Sequence, residues 1–226
     1  MQKRLRKALS VLLAVALLAG SLPGIPAFAG GGGTSLQQSA NNEGGTLEMD
    51  GDVYLIYDAE DLAAFRDLVN GTNDKAAQPS ANAKLMNDID LGGAEKGSWT
   101  PIGNSLGSAY TGTFDGQNHT ISGLYINTTG GYKGLFGFIG AVLDEENRQG
   151  SVQNLFIDGS VNSTGYVGGV AGENSGTVSN CHNIGEIKGT SVGGVVGHNF
   201  GGIVENCSNS AQSAPMAATP TWPVAL

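Results

Sequence analysis

Carboxylates, histidines, cysteines and evenly spaced asparagines are the side chains of this 226-residue chain that could do chemistry. Asp88 and Asp90 stand two apart in the alternating stretch Ala83 to Leu91. On a strand that spacing puts both on one face, about 7 Å from each other. Carboxylates so separated suit glycoside hydrolysis or supply oxygens to a calcium site. Asp88 and Asp90 are therefore the metal candidates and, with Asp115, the candidates for acid–base work. Against this, the runs beginning at Asp90 and Asp115 are followed by Gly92-Gly93 and by Gly116-Gln117-Asn118, ordinary turn chemistry. The turn reading is preferred. Asp158, Glu173, Glu186 and Glu205 fall at scattered offsets. Beyond the leader only Arg66 and Arg148 are arginines, so no carboxylate–arginine cluster is spelled out. The histidines, His119, His182 and His198, make no His-Glu-x-x-His, which argues against a zinc peptidase. No phosphate-loop lysine follows a glycine cluster, and no serine is marked as a nucleophile. The expectation is no catalytic residue and no cofactor.

Cys181 and Cys207 are the two cysteines, and a repeat places them. Gly165 to Cys181 is rewritten as Ser191 to Cys207: Val167 matches Val192 at 25 residues, while Asn180 and Asn206, and Cys181 and Cys207, match at 26. Ser151 to Ile157 stands 26 residues before Thr177 to Asn183, and Thr120 to Ile126 reads as a degenerate copy 31 earlier. A fixed period in the twenties means stacked supersecondary units. Within each copy the apolar positions are three apart, as in Val152 and Leu155, so a corner must intervene to bring both inward. The corner position reads Gly123, Asn154, Asn180, Asn206, residues that tolerate a left-handed backbone. Asn154, Asn180 and Asn206 could also stack as an amide ladder. Stacking about 4.8 Å apart puts Cys181 and Cys207 within disulfide range in a compartment that permits one. Parallel in-register side chains strain the required dihedral, which favours free thiols acting as small core residues.

The elements that must carry these groups follow. Lys3, Arg4, Arg6 and Lys7 precede the apolar run Ala8 to Leu18, and Ala27-Phe28-Ala29 closes it, the pattern of a cleaved export signal over residues 1–29. Its removal takes four positive charges and moves the net charge from −9 to −13. An acidic chain without a basic cluster gives no footprint for nucleic acid or for a membrane after signal cleavage. Residues 30–51 read as a flexible linker, Gly/Ser/Gln/Asn-rich at first, with order beginning near Asp52. Asp58 is placed as a helix N-cap, Glu60 and Asp61 in the first turn, and Leu62, Phe65, Leu68 and Val69 on one face of a helix at about 59–69. Its expected role is to cover the apolar end of a strand stack. Leu143 to Gly150 is a charged insertion, and Ala211 to Leu226 breaks the pattern with three prolines and no glycine. The fold class is all-β: a parallel β-helix or β-solenoid with ~25-residue coils over 52–209 and one N-terminal capping helix. Residues 210–226 are an irregular tail, read as a truncation or frameshift, or as a segment folding back over the open end.

Trp99 to Gly103, Gly112 to Leu124, Gly134 to Gly137 and the Val-Gly-Gly-Val coils ending in Asn180-Cys181 and Asn206-Cys207 resemble bacterial surface proteins carrying the GLUG repeat. The likeness runs from about Val53 to Asn209. Similar repeats stand beside the peptidase domain of immunoglobulin A1 peptidases and in large surface-attached proteins. The resemblance implies a β-solenoid module without catalytic residues of its own. The expected function is a secreted or cell-surface structural or adhesive module, with a glycan or a host extracellular protein as partner and self-association through the open C-terminal end. Competing readings are a carbohydrate-active β-helix enzyme and a non-functional fragment of a larger protein.

Overall fold

The computed structural model describes residues 47–72, 76–140 and 149–211. The expected export signal, residues 30–46 of the linker, most of the insertion and residues 212–226 of the tail lie outside these. Among the described residues the protein is all-β, with one α-helix. Strand β1 (Glu48–Asp50) turns through Gly51 (φ 64°) into β2 (Val53–Ile56), and the two pair antiparallel. Order thus begins before Asp52: Leu47 packs against the core and anchors a strand too short to show alternation.

Helix α1 (Ala59–Asn70) starts where Asp58 accepts a hydrogen bond from the Asp61 N–H at 2.9 Å. It stops at Gly71, whose φ of 70° is open to glycine at little cost. Its spacing puts Leu62, Phe65 and Val69 on one face, all fully buried. Phe65 meets Tyr110 and Phe114 at ring distances of 6.2 and 6.0 Å, and both of those meet Phe136, at 5.2 and 5.4 Å. The Tyr110 hydroxyl, buried with its ring, donates to the Ala81 carbonyl at 2.9 Å, so no polar group is stranded there.

The remaining strands run β3 (Asn82–Leu85), β4 (Ile89–Asp90), β5 (Thr113–Asp115), β6 (Thr120–Asn127), β7 (Tyr132–Lys133), β8 (Phe136–Ile139) and β9 (Ser151–Asn162). After them come β10 (Tyr166–Val167), β11 (Ala171–Asn174), β12 (Thr177–Asn183), β13 (Glu186–Lys188), β14 (Ser191–Val192), β15 (Val196–Asn199), β16 (Ile203–Glu205) and β17 (Ser208–Asn209). One sheet runs β1-β2-β3-β5-β9-β12-β16, a second β7-β10-β14 and a third β8-β11-β15. Every pair but β1·β2 is parallel, so the first sheet is mixed. Register sets like on like: Val152, Val178 and Val204 stand opposite one another, as do Val167 and Val192. Across β7·β10 the step is longer, Tyr132 opposite Tyr166, because the insertion lies between them.

One expected register is corrected. Thr113, Phe114 and Asp115 stand opposite Ser151, Val152 and Gln153, and Thr120 lies opposite Phe156. The equivalent of Ser151 is therefore Thr113, not Thr120. Gly116 to His119 widens the corner, with Gln117 and Asn118 both at positive φ, where later copies use a single Asn. Gly123 instead sits at a register shift between Ile121 and Leu124. At the far end Val178 is fully buried, while its counterpart Val204 is 40% exposed, beside exposed Val192, Phe200 and Ile203.

Candidate functional site

Asp88 and Asp90 flank the buried Ile89, and parity turns both outward. They line one cleft of about 570 Å³ between α1 and the edge formed by β4 and β6. Asp88 Oδ1 accepts from the Thr120 N–H at 2.9 Å and faces His119 Nδ1 at 3.1 Å. The Thr120 N–H, and then His119, hold its carboxyl below the usual carboxylate range. Asp90 Oδ1 accepts from the Gly92 N–H at 2.8 Å, closing a turn. Gly123 makes room for that turn, since a Cβ there would stand 2.5 Å from Asp90 Oδ1.

The opposite wall comes from α1. Arg66 points from the helix over the Trp99 ring, its Cζ 4.7 Å from the ring centroid, and is paired with Asp67 at 2.8 Å. Trp99 is pinned at three points: its Nε1–H donates to the Leu135 carbonyl at 3.2 Å, its backbone N–H to Tyr125 at 2.7 Å, and its ring carries Arg66. Tyr57 and Tyr125 complete the aromatic lining, and Asp58, Glu60 and Lys96 add charge. The cleft thus offers four carboxylates against two cations around three aromatic rings. Among the described residues no three His, Cys, Asp or Glu side chains gather to hold a metal, Asp88 and Asp90 included.

The asparagine column stands at the corners. Asn154, Asn180 and Asn206 have φ of 54°, 52° and 53°. Asn180 Nδ2 donates to Asn154 Oδ1 at 3.1 Å, and Asn154 Nδ2 donates to Asp115 Oδ1 at 3.0 Å. Burial pushes the Asp115 carboxyl up, but donors from the Gln117 backbone and from Asn154 and Gln153 outweigh it and leave it below the ordinary value. Asp115 stands at a corner, its carboxylate accepting from Gln117, Gln153 and Asn154. Two further columns escaped the reading: Asn174 donates to Asn199 at 2.9 Å and Asn183 to Asn209 at 2.7 Å, with Asn174 and Asn183 fully buried. Their signal is present in the repeat, Asn174 and Asn183 each standing two before a Gly whose backbone they clasp.

Cys181 and Cys207 are free thiols. The Cys181 thiol donates to the Ser179 carbonyl and the Cys207 thiol to the Glu205 carbonyl, each at 3.2 Å; the neighbouring thiol and burial push Cys181 up, and the neighbouring thiol brings Cys207 down. His182 and His198 lie in different sheets. His198 Nδ1 faces Glu173 Oε2 at 3.0 Å and its ring stacks on Tyr166, which stacks on Tyr132. His182 lies against Phe156 and Ser208.

Residues 188–213 match the family model of the GLUG motif, and that span holds one whole repeat, β14 through β17. Halomucin of Haloquadratum walsbyi (strain DSM 16790 / HBSQ001) is 31% identical over 132 residues, which is 55% of this chain and 1% of the halomucin chain. The chain spans only that small fraction of the curated relative it matches. A Bacteroides ovatus protein ascribed to the immunoglobulin A1 proteases superposes with a TM-score of 0.48 at 21% identity, over 71% of this chain and 57% of that one.

Proposed function

We propose that this chain, bearing a GLUG motif, is an exported, non-catalytic repeat module of a surface protein. In this reading it is a parallel β-solenoid over about residues 47–209, α1 covers its N-terminal end, residues 1–29 direct export, and the module serves a structural or adhesive role toward a glycan or host protein. The observation that carries the reading is the register. Three sheets are each visited once per repeat in the same order, like residues standing on like at 25 or 26 positions. Such a stack is stabilised by nearest neighbours and presents long faces rather than one deep catalytic centre. The acidic net charge without a basic cluster and the halomucin likeness support placement outside the cell.

The test expresses the full chain, leader included, in an exporting bacterial host and follows location and mass. A product beginning at Gly30 and recovered outside the cytoplasmic membrane is expected. An uncleaved product retained in the cytoplasm overturns the export reading. A reducing-end assay on a polysaccharide panel runs beside it, and turnover of any member overturns the non-catalytic reading.

A further inference from the structure

We propose that the cleft between α1 and the β4/β6 edge is a subsite for an uncharged oligosaccharide. The proposal rests on the module reading above and names the chemistry of its partner. Three features of the cleft select that class. Its volume, about 570 Å³, lies within the range of small-ligand sites, roughly 300–1,000 Å³. Its apolar lining includes the rings of Tyr57 and Tyr125, which suit the C–H faces of a pyranose while leaving the hydroxyls to polar groups, beside Trp99, whose own face carries Arg66. Its polar lining is mostly carboxylate, and Asp88 and Asp90 each use Oδ1 toward backbone N–H groups, leaving Oδ2 to accept from a sugar hydroxyl.

The same inventory rejects the alternatives. Four carboxylates against two cations repel a uronate, a phosphate or a nucleic acid. A basic peptide would seek an aromatic face for its cation, but Arg66 already occupies that position on Trp99. The site is also built to hold its shape. Trp99 is fixed by two hydrogen bonds and the guanidinium, and the Asp88 and Asp90 carboxylates are aimed by backbone N–H groups. Little side-chain entropy is left to lose on binding.

Trp99 is its own reporter. The chain has two tryptophans, so Trp222→Phe leaves Trp99 as the sole emitter. The full exported chain with this change is titrated with cellohexaose, maltohexaose and N-acetylchitohexaose, beside oligogalacturonate and oligolysine. A saturable change in Trp99 emission with at least one neutral oligosaccharide, and none with oligogalacturonate or oligolysine, is expected. Asp88→Asn with Asp90→Asn keeps an acceptor for the Thr120 and Gly92 N–H groups but weakens the hydroxyl contacts. It should reduce affinity at least tenfold while lowering the urea midpoint only slightly, with Asp90→Asn alone as the milder second variant. Neutral binding that both variants leave intact, a response to oligolysine or oligogalacturonate instead, or no response to any probe overturns the subsite. None of these outcomes touches the module reading, which is tested by location and processing rather than by binding.

Discussion

Replacing Asn180 separates two contributions that the corner combines. Its backbone stands at φ 52°, and its amide donates to Asn154 at 3.1 Å in an exposed position. Alanine loses both. A left-handed backbone costs an L-residue without a short polar side chain about 1–2 kcal/mol, and an exposed amide bond contributes about 0.5 kcal/mol. Asn180→Ala should therefore destabilise by about 1.5–2.5 kcal/mol. Glycine loses the amide bond but adopts the backbone freely, and its extra unfolded-state freedom leaves Asn180→Gly about 0.5–1 kcal/mol below the parent. Valine, β-branched at positive φ, should cost more than about 2 kcal/mol. Urea unfolding at fixed temperature reads the series as midpoints at a common slope. The predicted order of stability is Asn, Gly, Ala, Val. Alanine equal to or above glycine would refute the argument, because the left-handed corner would then carry no energy and only the amide contact would matter.

Phe65→Ala, at the centre of the aromatic cluster beneath α1 and fully buried, should cost about 3–5 kcal/mol, read by thermal or urea unfolding; a loss below 1 kcal/mol would deny α1 a packing role. Asp115 has a depressed carboxyl in the folded chain, so its contribution is present above its ordinary value of 3.8 and is lost as pH falls through the lower folded value. Asp115→Asn should flatten the drop in urea midpoint between pH 5 and pH 2, and an unchanged drop would remove Asp115 from the acid response. Iodoacetamide at pH 7 should label half-buried Cys207 well before fully buried Cys181; equal labelling by peptide mass mapping would contradict that difference in access. The exposed Ile203 and Val204 edge should drive concentration-dependent self-association of the full chain. Ile203→Glu with Val204→Lys should abolish it in sedimentation velocity, and no association in the parent would count against an adhesive edge.

How much of this was legible depended on whether a signal was local. Helix α1 announced itself through Asp58, the acidic first turn and the spacing of Leu62, Phe65 and Val69, because capping and amphipathicity act within four residues. The corner asparagines were legible because three copies repeat within a few residues of the same length. The degenerate copy misled because its corner, Gly116 to His119, is longer, so Thr120 borrowed the identity that the register assigns to Thr113. The cleft could not be read. Arg66 comes from a helix, Tyr125 from a strand, and Asp88 and Trp99 from loop positions, and only the pairing of β4 with β6, the Trp99–Tyr125 backbone bond and the stacking of Arg66 bring them together. Tyr132 and Tyr166 stack, yet the insertion between them lengthens their spacing beyond the repeat and hides the match.

The near-constant offset between paired residues from β9 onward also fixes how that part of the chain can fold. There each new strand closes a loop of about 26 residues onto the one before it, at an entropic cost of about 3 kcal/mol, whatever the number of repeats already in place. Contact order in absolute residues therefore stays flat as repeats are added, and the barrier to docking one more does not grow with length. The aromatic group of Phe65, Tyr110, Phe114 and Phe136 within the core belongs to the part of the described chain made before the regular repeats. It can act as the template, and later repeats dock on it in the order in which they emerge. Adding or removing a repeat would then alter reach without altering the folding route.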